Sequence, residues 1–150
     1  AARPSCPGKY QILITGEVSS VEAALDAGQA ASSSNVIDRL ILPRIHPQVV
    51  EAINMSSAPE RLRALGVMEF FSVTAAILAA DAAAKAADVD LLEIRLGTGI
   101  GGKSFVTMTG DVSAVPASVD AGIKSAEGPG MVLDSVVIAH PDPELYRHLL

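Results

Sequence analysis

What this sequence has little of decides much of what it can be. Cysteine occurs once in 150 residues, so no disulfide can form within the chain, and the thiol suits a reducing compartment. Tryptophan is absent and only 3% of residues are aromatic, although 49% are hydrophobic. Alanine makes up the difference, and alanine-rich helices can lie close to a sheet or to each other in thin, flat layers. Basic residues are outnumbered, giving a formal net charge of −6, which argues against a nucleic-acid partner. No uncharged apolar run approaches the roughly eighteen residues of a membrane helix. The best candidate, residues 73–89, carries Asp81, Lys85 and Asp88. No Ser-His-Asp or Cys-His set can be assembled, and His46, His140 and His148 lack metal-ligand spacing, so no catalytic residue is assigned.

What is present centres on Gly97-Thr98-Gly99-Ile100-Gly101-Gly102-Lys103-Ser104. These residues fit G-x-x-x-x-G-K-[ST], the phosphate-cradling loop of nucleotide enzymes. That loop needs a strand before it and a helix opening at its Lys-Ser, so that backbone amides face the phosphates. Residues 89–94 are a plausible strand. The following Phe105-Val106-Thr107-Met108-Thr109 is β-branched and aromatic, without helical spacing, and predicts a second strand. Two strands joined by a glycine-rich loop make a hairpin whose amides serve the ladder.

The stretch also recurs. Gly8 through Gly28 lies on Gly102 through Gly122 without a gap, with Gly, Lys, Thr-Gly, Val-Ser, Val, Ala and Asp-Ala-Gly in register. In the first copy the loop reads Ser5-Cys6-Pro7-Gly8-Lys9, and Cys6 falls where the second has Ile100. The phosphate pattern is lost there while the unit persists, so the repeat is a hairpin running into a helix.

Taken in order, the first copy predicts a strand over 10–15 and a helix from about residue 18. Ser19 and Glu22 form a capping box for that helix, and Val21, Ala24, Leu25 and Gly28 share a face. A serine-rich turn over 30–35, a strand over 36–42 and a short helix over 47–53 complete it. The second predicts strand 65–70, a helix capped by Ser72 and running to about residue 87, and strand 89–96. Strand 103–109, helix 113–127, strand 131–139 and helix 143–149 follow, with Pro116 harmless in a first helical turn. The fold class is α/β: two tandem units of β-α-β-β-α-β-α order, the first only half present. We divide the chain into a partial first domain (1–53), a linker (54–64) and a complete second domain (65–150). The half-unit leads us to expect about thirty further N-terminal residues in the natural protein.

These residues resemble the shell-protein (BMC) domain of bacterial microcompartments. The resemblance rests on Gly66-Val67-Met68-Glu69, on residues 79–89, and on Thr109-Gly110-Asp111-Val112-Ser113-Ala114-Val115 followed by Asp120-Ala121-Gly122. Two copies resemble the tandem class of that family. The resemblance implies a ferredoxin-like fold, a homotrimeric pseudo-hexameric tile in a shell facet, and a central pore. It implies other shell proteins and an encapsulated redox enzyme as partners, no nucleic acid or membrane, and a place in the bacterial cytoplasm within the shell. It further implies that the pore loop is Gly99, Ile100, Gly101 and Gly102, and that Lys85 and Arg44 serve tile-edge assembly. The Pro-Arg-Pro-His corner of the family reads Pro43-Arg44-Ile45-His46 in the first unit and Ala139-His140-Pro141-Asp142 in the second.

The loop at Cys6, Pro7 and Gly8 resembles that of propanediol-utilisation members of the class, which implies a [4Fe-4S] cluster at the pore. Such a cluster normally takes four thiolates, so one chain cannot hold it, but three Cys6 side chains meeting on a threefold axis supply three. On spacing alone Cys6 is a small inert cysteine. Lys9 and Lys103 read as solvated lysines at strand starts. Lys85 reads as a solvated charge paired with Asp81, and Asp26 and Asp120 as helix-surface or interface residues. An alternative without a shell is a small ferredoxin-like sensor or binding domain holding an anionic ligand at its glycine loops.

Overall fold

A computed structural model describes the chain apart from residues 7, 58, 60, 61, 127, 129, 130 and 150, and apart from the side chains of residues 33 and 149. The second unit is a β-α-β-β-α-β-α array. Its elements are β3 (Ala64–Phe70), α3 (Val73–Ala86), β4 (Val89–Leu96), β5 (Ser104–Gly110), α4 (Ala114–Ser125), β6 (Val132–Ile138) and α5 (Pro143–Leu149). The first unit supplies β1 (Ala2–Ser5), β2 (Lys9–Ile12), α1 (Val18–Ser32), a 3-10 turn at Ser33–Asn35 and α2 (Pro47–Ile53).

The second unit closes one antiparallel sheet in the order β4-β5-β3-β6, with β3 bonded on both sides. This is the order of a split β-α-β fold. Residues Ala64, Met68 and Phe70 of β3 face α3 and α4, together with Val106 and Met108 of β5 and Leu91, Ile94 and Leu96 of β4. Ser72 starts α3 by accepting the Ala75 N–H, as its position before an apolar run predicts. The other face of the sheet is covered at one end by α5, where Tyr146 packs with Leu65 and Leu92. The Tyr146 hydroxyl donates to the Arg63 carbonyl at 2.6 Å, which ties α5 to the start of β3.

The first unit has no such closure. β1 and β2 form a separate two-stranded antiparallel sheet. α1 buries no residue, and of its expected apolar face only Val21 and Leu25 are half-buried. The expected strand over 10–15 ends at Ile12 instead. Ser19 lies inside the first turn of α1, so the expected capping box is not formed. Residues 36–42, expected as a strand, are not in one. Their repeat counterpart, β6, pairs only with β3, and the first unit as present in this chain holds no counterpart of β3. A strand without a ladder partner leaves its amides unsatisfied by protein, so the segment stays irregular.

What anchors the first unit is α2. Val49, Ala52 and Ile53 enter the core of the second unit, and the Gln48 side chain accepts the Leu91 N–H on edge strand β4 at 3.0 Å. Leu13, Leu40, Leu42 and Ile45 pack against the same core. The two units therefore share a hydrophobic centre.

The repeated Asp-Ala-Gly offers a test of this inequality. A methyl group at Gly122 would stand 3.0 Å from the Ala79 carbonyl and 2.7 Å from Met68 Sδ, whereas nothing lies within 4 Å of one at Gly28. Gly122→Ala is expected to destabilise by about 1–3 kcal/mol through overpacking. Gly28→Ala, in the exposed middle of α1, is expected to stabilise by about 0.5–1 kcal/mol. Urea denaturation of the two variants checks the opposite signs.

Candidate functional site

The two glycine hairpins come together at one place. The β4–β5 hairpin turns through residues 97–103, and Gly97, Gly99, Gly101 and Gly102 all take positive φ. Its next element is β5, not a helix, so the geometry of a nucleotide loop is absent. Lys103, expected as a solvated lysine at a strand start, keeps its side chain 40% exposed, and its Nζ pairs with Glu69 at 2.8 Å on the neighbouring strand β3. Lys9 is half-buried at the start of β2.

The β1–β2 hairpin turns at Cys6 and Gly8, where Gly8 takes φ +67° in open space. Pro7 lies outside the described residues. Cys6 is exposed, and its backbone N–H donates to the Gly97 carbonyl at 3.3 Å. Two further side chains of the first hairpin reach the end of β4. Gln11 Nε2 donates to the Leu96 carbonyl at 2.7 Å, and the buried Ser5 hydroxyl donates to the same oxygen at 3.4 Å. A Cβ on Gly97 would stand 2.3 Å from Ser5 Oγ, so a side chain there displaces the Ser5 hydroxyl, and the φ of +71° favours glycine. Cys6 is thereby seated beside the Gly99-Ile100-Gly101-Gly102 turn.

Gln11 and Ser5 are functional candidates that the sequence reading passed over. The repeat held their signal, because Gln11 stands where the second copy has Phe105, and Ser5 where it has Gly99. A polar donor replacing an apolar or absent side chain marks a place where the copies do different work.

Lys85 and Arg44, assigned to different units, are connected through Asp81. Lys85 pairs with Asp81, one turn earlier on α3, at 2.5 Å. The other oxygen of Asp81 accepts the His46 N–H at 2.8 Å, at the start of α2. Arg44, exposed and with φ +56°, sits two residues before that contact. Asp81 itself is only 8% exposed, so it acts as a buried bracket between the Arg44 corner and the Lys85 helix. Asp26 pairs with Arg39, and Asp120 with Lys124, both on exposed helix surface.

Among the described residues, no three His, Cys, Asp or Glu side chains of one chain converge on a metal position. The donor set of a single chain does not fit a cluster, since Cys6 offers one thiolate. Among the described residues, no helix is long and apolar enough to cross a membrane.

The BMC domain family matches residues 1–45 and 64–141. A bacterial microcompartment shell protein PduT of Citrobacter freundii is 35% identical over 97% of this chain and 79% of its own length. PduA of the same organism, also a shell protein, is 40% identical over 57% of this chain and 90% of its own length. A solved structure of a microcompartment protein from Desulfitobacterium hafniense superposes with a TM-score of 0.93 at 50% identity. That likeness covers 98% of this chain and 82% of the other.

The bracket makes a stability prediction. Removing Asp81 strands the His46 amide and frees Lys85, so Asp81→Ala is expected to cost about 1–3 kcal/mol. Lys85→Ala breaks only a half-exposed ion pair and is expected to cost less than about 1 kcal/mol. Chemical denaturation of both variants measures the difference.

Proposed function

This chain belongs to the BMC domain family, a structural shell protein of a bacterial microcompartment, and from that premise we propose that three copies close into a pseudo-hexameric facet tile. Cyclic closure uses heterologous contacts, each chain presenting one surface to the next and receiving another. The Cys6 turn and the Gly99–Gly102 turn line the central aperture. The observation that carries this reading is the pairing of the two hairpin turns at one end of the molecule, with the Cys6 amide bonded to the Gly97 carbonyl. Turns so joined arrive at a symmetry axis together.

On the axis, three Cys6 thiolates are one ligand short of the usual set for a [4Fe-4S] cluster, leaving one iron for a small ligand or an electron partner. A cluster there would supply one-electron transfer across the shell. Gly8, with open space where a Cβ would stand, lets each turn approach its symmetry mates. The exposed position of Cys6 leaves its sulfur available to them. Partners in this reading are other shell proteins and an enclosed redox enzyme. Lys85 and Arg44 meet the neighbouring tile.

Native mass spectrometry after anaerobic purification is expected to give a mass of three chains with broad visible absorption. Cys6→Ser is expected to bleach the protein while leaving the trimer intact. Colour retained in that variant removes Cys6 as the ligand, and a monomer removes the aperture altogether.

The edge assignment has a separate readout. Thin sections of cells overexpressing the protein are expected to contain sheets, tubes or polyhedra, and Lys85→Ala is expected to abolish them while the trimer persists. A monomer that makes no sheets and retains an anion at its glycine loops would instead favour a small ligand-binding domain.

A further inference from the structure

We propose that Gln11 is a latch that locks the two hairpin turns into one body, so that the first unit sets the position of the second unit's glycine turn. The Leu96 carbonyl, at the end of β4, receives three side-chain donors: Gln11 Nε2 at 2.7 Å, Ser5 Oγ at 3.4 Å and Thr98 Oγ1 at 3.4 Å. A carbonyl has two lone pairs, and the two longer contacts are near the limit of a hydrogen bond. Gln11 is therefore the dominant partner. Its contact is long-range, tying β2 to the last residue before the glycine turn. Beside it, the Cys6 amide bonds to the Gly97 carbonyl, one residue further on. The latch and the amide thus grip consecutive carbonyls of the strand from which the turn springs.

The grip needs Gly97. Its φ of +71° strains any other residue, and a Cβ there would stand 2.3 Å from Ser5 Oγ and push that donor aside. The grip also has a direction. In repeat register Gln11 corresponds to Phe105 and Ser5 to Gly99, neither of which carries a side-chain hydrogen-bond donor. Phe105 instead lies under the Arg95 guanidinium, 5.0 Å from its ring centre. The second unit therefore cannot offer the same latch to the unit that follows it.

In the proposed ring, which this consequence rests on, junctions within a chain are latched and junctions between chains are not. The aperture is then bordered by paired turns, each cysteine turn moving with the glycine turn of its own chain.

Hydrogen–deuterium exchange on the intact chain tests the latch directly. Gln11→Met keeps the side-chain length and removes the donor. It is expected to raise exchange about threefold to tenfold in both the peptide spanning Cys6 and the peptide spanning 97–103, with β3 still protected. Gly97→Ala attacks the same joint from the other side and is expected to release the same two peptides. A rise confined to the first hairpin, or no rise in either, overturns the latch. A uniform rise that includes β3 in both variants reduces Gln11 to a general stability contact and overturns it as well. The measurement needs neither metal nor trimer, so a colourless or monomeric protein refutes the aperture reading without touching this one.

Discussion

Everything in this molecule follows from β3 being bonded on both sides. A central strand organises its neighbours, because each backbone amide and carbonyl it offers must find a partner. Here β5 takes one edge and β6 the other, β4 adds to β5, and α3 and α4 cover one face. The repeat then acts as an internal control. The same hairpin, helix and later segment occur in the first unit, yet without a central strand the segment over 36–42 does not become β structure and α1 buries nothing. Eleven of the 21 residues in the gapless repeat are identical, and within this chain the outcome differs with the tertiary partner at hand.

The first unit nevertheless keeps a defined place, and the means differ at its two ends. At one end the attachment is apolar, with Val49, Ala52 and Ile53 inserted into the shared core. At the other it is polar, with Gln11, Ser5 and the Cys6 amide on the end of β4. Apolar burial supplies affinity without direction, whereas hydrogen bonds to consecutive carbonyls specify register. That division suits a chain in which one end must stay put and the other must present a turn at a defined position.

The second unit was legible in the sequence almost element by element. Strand 89–96 and helix 143–149 match β4 and α5 to the residue, because Gly97 and Pro143 punctuate them, and in the first unit helix 47–53 matches α2, which Pro47 opens. Ser72 was read correctly as a cap, since its signal is local. The failures share one cause. Strand 36–42 and the buried face of α1 were read from apolar pattern, and pattern records what a segment could bury, not whether a partner is at hand. The hairpin nature of the glycine stretch was legible because β-branched residues follow it. The Gln11 contact with Leu96 was not, because it joins residues 85 apart through a single side chain. The Lys103–Glu69 pair was not legible for a related reason: the two residues come side by side only when β3 and β5 pair in register.

The shortage of aromatic residues has a structural consequence in the core. Among the described residues Phe70 is the largest fully buried side chain, while α3 turns Ala76, Ala79, Ala80 and Ala83 inward with no exposure at all. Gly66 lies under Val115 and Val119, Gly122 against the Ala79 carbonyl, and Gly110 against the Asp88 carbonyl. Small residues at these crossings set the distance between helix layer and sheet, and interiors packed this closely cannot admit even one methyl group without displacement. A core of large rings would hold the layers further apart. The chain thus closes with one helix layer on one sheet and a short cap, α5, on part of the other face. Alanine and glycine at the layer contacts therefore set how closely helices and sheet approach, and the composition that looked like a deficit is what lets them do so.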